Sequence, residues 1–201
     1  MVDPWLVGFF GVAIVSGLAL SHFRSEGRTR EMRQWAEWND FAFEGDGRAL
    51  FDELARFDTF DRERFKTQNL MRATKGEVEV RLADFKLSAD ADSDWSSLCV
   101  VTGPGRPAPH FSAHSKTRIQ PPDFEVDLFS QTCVVRSLGD AQAVERLLTP
   151  DLRLVLSGLV QKYGSLEASG DTLLLFAGRL VKVEELDELI TDALTLRRHW
   201  S

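Results

Sequence analysis

The sequence predicts an α+β protein: one N-terminal transmembrane helix, then a soluble domain with a mainly antiparallel sheet and packed helices. Three observations predict it. Pro4 to Leu20 (PWLVGFFGVAIVSGLAL) contains no charged residue. From Phe65 to Val135 the chain breaks into short apolar segments separated by glycine, proline and polar clusters. On both sides of that block, apolar residues recur at helical spacing. A run of strands flanked by runs of helices is the pattern of an α+β layer structure. The expected organisation is residues 1–23 as a membrane anchor, 24–40 as a juxtamembrane helix and 41–201 as the soluble domain.

At 1.5 Å per residue, the roughly 17 to 20 residues of the anchor span about 26 to 30 Å, the thickness of a bilayer's hydrocarbon core. In lipid the backbone must satisfy its own hydrogen bonds, so a lone apolar run of this length is expected to be helical. Trp5 suits one interface, and His22, Phe23 and Arg24 the other. Arg24, Arg28, Arg30 and Arg33 follow the run, against Glu26 and Glu31, while only Asp3 and the α-amino group precede it. The positive-inside rule then keeps the C-terminal side in the cytoplasm. A cleaved signal peptide would carry positive charge before the run; only the weak Ala19-x-Ser21 pattern favours cleavage. Ala13, Gly17 and Ser21 lie four apart, as in small-xxx-small helix pairs.

The segment Ser25 to Asn39 reads as a helix with Met32, Trp35, Ala36 and Trp38 as apolar positions and Thr29 as a candidate cap. Phe41-Ala42-Phe43 reads as a short strand, broken by Gly45-Asp46-Gly47. Asp46 then caps a helix with Leu50, Phe51, Leu54 and Phe57 on one face. Asp58 to Arg64 reads as a loop. Phe65–Ala73 and Glu77–Leu87 flank Thr74-Lys75-Gly76, a hairpin turn. Val78, Val80 and Leu82 alternate, and the phase then slips to Phe85 and Leu87, which predicts a bulge around Ala83-Asp84. Trp95 to Thr102 is apolar enough for a strand covered on both faces. His110–His114, Phe124–Leu128 and Cys133–Val135 are further strands.

Asp140 caps a helix to Leu148, and Thr149-Pro150 opens another that ends at Gly164. Ser165–Ala168 and Thr172–Ala177 form a hairpin across Ser169-Gly170-Asp171. Val183 to Arg198 closes the chain as a helix, acids first and arginines last, complementing its dipole.

Composition narrows the function. The whole chain has 24 basic and 31 acidic residues. After the four arginines, Asp3, Glu26 and Glu31 are set aside, 20 basic and 28 acidic residues remain, so the soluble part is near −8. Such a domain stands off from an anionic leaflet apart from its arginine collar, and has no basic stripe for nucleic acid. Cys99 and Cys133 sit in apolar runs and read as buried thiols on neighbouring strands.

Three constellations invite chemistry. His110 and His114 form H-x3-H, which on a helix would put two imidazoles on one face; it follows Pro107-Ala108-Pro109 and lacks a third ligand. Asp90, Asp92 and Asp94 open like a calcium loop, but Trp95 stands where the turn glycine belongs and Val101 where the bidentate Glu does. Glu44 and Asp46 near Arg48 form a carboxylate pair that a helix start explains equally well. Ser112 lies between the two histidines. There is no GxSxG, P-loop or GxGxxG. The sequence therefore assigns no catalytic, cofactor-binding or metal residue and no cofactor.

The order of features resembles a group of uncharacterised bacterial single-pass membrane-anchored proteins. The matching residues are Arg30 to Trp38 with its Trp-Ala-Glu-Trp, the hairpin Glu167 to Arg179 (EASGDTLLLFAGR), and Leu186 to Trp200. The resemblance implies a fold and a topology and attaches no activity. Together these readings lead to a membrane-tethered cytoplasmic interaction or accessory domain, at the cell inner membrane, as a subunit of a larger membrane assembly. Its expected partners are the bilayer, through residues 4–23, and another membrane protein or a second copy. The alternatives are an enzyme using His110, His114 or the Asp84 region, or a ligand sensor with an apolar pocket between sheet and helices.

Overall fold

The computed structural model describes residues 26–57, 60, 65–87, 94–115, 126–129 and 133–199. Helix α1 covers residues 26–38. It is followed by β1 (Ala42–Asp46), a 3-10 turn (Arg48–Leu50) and the one-turn helix α2 (Phe51–Leu54). Strands β2 (Phe65–Lys75), β3 (Val78–Leu87), β4 (Ser96–Thr102), β5 (Ala108–Ser115), β6 (Val126–Phe129) and β7 (Cys133–Ser137) come next. Helices α3 (Ala141–Leu147) and α4 (Pro150–Tyr163) lead to the hairpin β8 (Gly164–Gly170) and β9 (Thr172–Ala177). A 3-10 turn (Val183–Glu185) enters the last helix, α5 (Leu186–Arg198).

The described strands form one nine-stranded sheet in the order β1-β2-β3-β4-β9-β8-β5-β7-β6, antiparallel throughout. The α+β reading with an antiparallel sheet holds. Among the described residues no helix is long and apolar enough to cross a membrane. Pro4–Leu20 lies outside the described residues, as do Asp90, Asp92 and Lys116–Asp123.

Both faces of the sheet are covered, by unequal layers. One core collects Met32, Trp35 and Ala36 of α1, Leu152, Leu156 and Val160 of α4, and Leu186, Leu189, Ala193 and Leu196 of α5. These pack on Val80, Leu82, Cys99, Val101, Leu173 and Leu175 of the sheet. The other core is smaller: Leu50, Leu54, Phe57 and Phe60 pack on Leu70, Ala83, Phe85, Leu98, Val100, Leu174 and Phe176. Phe60 makes edge or tilted contacts with the rings of Phe65, Phe85 and Phe176 at centroid distances of 4.6 to 6.0 Å. The central strand β4 sends Leu98 and Val100 one way and Cys99 and Val101 the other, which explains its unbroken apolar run.

The local stop and start signals act as the sequence indicates. Asp140 accepts from the amides of Gln142 and Ala143, and Thr149 Oγ1 accepts from Leu152 N. Each satisfies amides that a helix's first turn leaves without partners. Gly164 ends α4 at φ 117°, a conformation an L side chain rarely takes.

Five expectations are corrected. The bulge is in β2, where pairing jumps from Gln68–Asp84 to Met71–Leu82 and Asn69 adopts φ 55°. Strand β3 pairs with β4 without a break from Glu79 to Phe85. Its phase slip arises because Val80 and Leu82 enter one core and Ala83 and Phe85 the other, so simple alternation looks like a slip. Thr29 is not a cap: it lies inside α1, and its hydroxyl donates to Asn69 Oδ1 at 2.8 Å. Cys99 and Cys133 are buried and free, but they stand on β4 and β7. Those strands are four steps apart in the sheet, roughly 19 Å at ~4.8 Å per step. The first hairpin turn is Gly76-Glu77, between Lys75 and its pair Val78, with Gly76 at φ 66°. Strand β1 runs through Gly45, where the register shifts, rather than ending before it.

Candidate functional site

Strand β5 carries the histidines. Its odd positions, Phe111 and Ala113, enter the helical core, so His110, Ser112 and His114 share the opposite face. Four residues along a strand span roughly 13 Å, so His110 and His114 cannot ligate one ion. Among the described residues no group of three metal-binding side chains converges.

The structure instead gives His110 a partner that the sequence did not single out. His110 Nε2 and Glu167 Oε1 lie 2.8 Å apart, the imidazole N–H donating to the carboxylate. The Glu167 side chain is fully buried, whereas His110 is 28% exposed, with the ring of Phe57 edge-on to it at 6.3 Å. Glu167 reaches this face because Leu166 and Ala168 on either side of it fill the helical core. A carboxylate-oriented imidazole with an accessible edge can move a proton. A nucleophile, however, must hydrogen-bond to the base. Among the described residues no hydrogen bond joins Ser112 to His110; Ser112 pairs in register with Glu167 and with Arg136. The pieces of a Ser–His–acid relay share a face without assembling.

Asp84 is a strut. Its side chain is fully buried, and Arg28 of α1 grips it through Nε–Oδ2 and Nη2–Oδ1, both 2.7 Å. Asn69 Nδ2 and Ser97 Oγ also donate to it, at 2.9 and 3.3 Å. The same guanidinium donates Nη1 to Val181 O at 2.9 Å, and Val181 N donates to Ser97 Oγ at 3.0 Å. Helix α1, three strands and the segment before α5 thus meet at one carboxylate. The sequence held two signs of this. Arg28, Met32, Trp35 and Ala36 fall at i, i+4, i+7 and i+8, one helical stripe. Asp84 sits where the apolar phase of β3 changes. Arg28 therefore serves the domain interior rather than a lipid-facing collar.

A second pair, with Arg81 buried and Glu53 half-buried, ties α2 to β3. Both Nη atoms of Arg81 engage the Glu53 carboxylate, and Nη2 also donates to Thr102 Oγ1 at 2.9 Å. Burial alone would raise the Glu53 carboxyl, but the hydrogen-bonded Arg81 guanidinium, with Arg56 nearby, holds it below the usual carboxylate range. Glu44 and Asp46 take separate arginines: Glu44 pairs with Arg72 at 3.4 Å and Asp46 with Arg48 at 3.2 Å, all well exposed.

A cleft of about 250 Å³ opens where α4 ends against β8 and β9, lined by Ser115, Gln161, Lys162, Tyr163, Gly178 and Arg179. It is polar and lies at the sheet's rim, unlike the apolar pocket between sheet and helices that a sensor would use. Its cations already have acids. Lys162 Nζ meets Glu188 and Asp192 at 2.7 Å each, and Arg179 meets Glu185 at 2.7 Å. Burial, together with acceptance by Asp192, pushes the Tyr163 phenol up.

No protein-family model matches the chain, and no curated protein does. Among solved structures the chain is similar to the crystal structure of the mycobacterial trehalose monomycolate transport factor A, TtfA. The TM-score is 0.60 at 11% identity, over 86% of this chain and 92% of that one. At that identity the likeness is one of fold.

Proposed function

We propose that the chain is a membrane-tethered accessory factor, in which Pro4–Leu20 anchors the α+β domain on the cytoplasmic side of the inner membrane. There it serves a larger membrane assembly as a non-catalytic subunit. The observation that carries this reading is the fold shared over 92% of the length of the mycobacterial trehalose monomycolate transport factor A. The helix that follows the apolar run supports it. Arg28 ties α1 to a fully buried carboxylate in the sheet, which would hold the domain in a fixed attitude to whatever precedes α1.

The test is fractionation and gentle extraction of the tagged full chain. An accessory factor resists alkaline washing of membranes and elutes in mild detergent with an integral membrane protein at fixed stoichiometry. A chain released by the wash, or eluting without a stoichiometric partner, sinks the reading. A reporter fused after Ser201 checks the orientation independently: only a cytoplasmic reporter should be active.

A further inference from the structure

The polar cleft at the end of α4 lies at the end of the sheet from which α1 sets out. Arg28, in the first turn of α1, donates to Val181 O at 2.9 Å, and Ser97 N donates to Arg179 O at 3.0 Å. At the opposite end of the sheet, Lys75 Nζ reaches Asn39 O, just past the last turn of α1, at 3.1 Å. The segment Ala177-Gly178-Arg179 that lines the cleft is therefore a neighbour of the start of α1. Buried Val160 and Ala177 line it beside exposed Gln161 and Arg179.

The charges around the cleft select against ions of either sign. An anion would meet the C-terminus of α4, the negative end of its dipole, and two cations, Lys162 and Arg179, already held by three acids, Glu185, Glu188 and Asp192. A cation would meet Lys162 and Arg179 first, because they line the cleft and the three acids do not. We propose that the cleft binds a neutral, hydroxyl-rich group, the chemistry shared by a free sugar and by the sugar headgroup of a lipid. Hydroxyls both donate and accept. They can donate to the carbonyls of the last turn of α4 and accept from the Gln161 amide and the Arg179 guanidinium, with no charge to bury. At about 250 Å³ the cleft is smaller than the roughly 300 to 1,000 Å³ of pockets for larger ligands, so it takes a single ring and leaves any attached chain outside. The position of the cleft beside the start of α1 turns it toward a leaflet, a step that rests on the membrane-tethered reading.

The test uses the full chain in a polyoxyethylene detergent, which itself carries no sugar. Native mass spectrometry counts adducts of glucosyl- and galactosyl-diacylglycerol, with phosphatidylglycerol as the anionic control, and saturation-transfer NMR with methyl glucoside forms the soluble arm. One glycolipid adduct per chain is expected, with phosphatidylglycerol bound more weakly. Gln161→Ala and Arg179→Met should each weaken binding roughly fivefold to tenfold, the worth of one hydrogen bond. Both side chains are exposed, and the Arg179–Glu185 pair is a surface one, so the melting temperature should stay where it is. Binding of the glycolipids alone assigns a lipid headgroup, and an equal response to methyl glucoside assigns a soluble sugar; either supports the site. Phosphatidylglycerol bound as tightly as the glycolipids, no binding in any sugar arm, or binding indifferent to both substitutions overturns it. Release of the chain by an alkaline wash would remove the tether and leave the methyl glucoside signal standing, so the two readings fail separately.

Discussion

Removing Arg28 is the most informative single perturbation of this fold. Arg28→Ala leaves the Asp84 carboxylate fully buried, with Asn69 and Ser97 as its remaining donors, and frees Val181 O of its guanidinium contact. Breaking a buried ion pair from one side costs about 3 to 5 kcal/mol, because a charge is left behind without its partner. Two neutral donors remain and Arg28 is itself 14% exposed, so the lower end, about 3 kcal/mol, is expected. Replacing both partners by apolar residues of similar size, Arg28→Met with Asp84→Leu, should cost far less than the two single changes together, because no orphaned charge remains. The assay is urea unfolding of the four proteins, followed by tryptophan fluorescence. Trp35 reports on α1 directly, being buried against Phe41 with ring centroids 5.2 Å apart. A loss below about 1 kcal/mol for Arg28→Ala, or simple additivity in the double variant, would refute the assignment of this pair as the clamp that docks α1.

Three further outcomes are expected. The Glu53 carboxyl titrates below its ordinary unfolded range, so its contribution is present at neutral pH and disappears as pH falls through the folded pKa; Glu53→Gln should flatten the acid limb of a melting-temperature profile, and an unchanged limb would count against it. Gly103→Ala places a Cβ 2.6 Å from Val78 Cγ1 and 2.9 Å from Val78 Cα, so stability should drop by about 1 to 3 kcal/mol in denaturant titration. Burial pushes the Cys99 and Cys133 thiols up to about 12 and about 11, so neither should react with a thiol reagent at pH 8 until denaturant is added.

The parts of the fold that were legible in the sequence are those whose physics is local. Asp140, Thr149-Pro150 and Gly164 mark helix ends because a cap is made by residues two or three positions apart. The last hairpin is legible for the same reason: Leu173 to Phe176 is apolar on both faces, and the turn falls at Gly170-Asp171, one residue shorter than expected because Ser169 pairs with Thr172. The phase change in β3 was visible, but its cause was not. A bulge and a second core leave the same trace in one strand, and only the layer formed by Leu50, Leu54, Phe57 and Phe60 distinguishes them. The order of strands was equally out of reach. It places β8 and β9 between β4 and β5, which separates the two cysteines and brings Glu167 beside His110.

The sequence by itself determined the α+β class, the antiparallel sheet, the start of α3 and both ends of α4, and the uniformly apolar character of β4, because each depends on periodicity or on contacts within a turn. The tertiary structure decided what the charged residues do. Arg28 stood in a row of arginines and Asp84 at an irregular point of a strand, 56 positions apart. Nothing local couples residues that distant. They pair because folding closes a helix over a sheet, and a carboxylate shut away from water there must find its counter-charge.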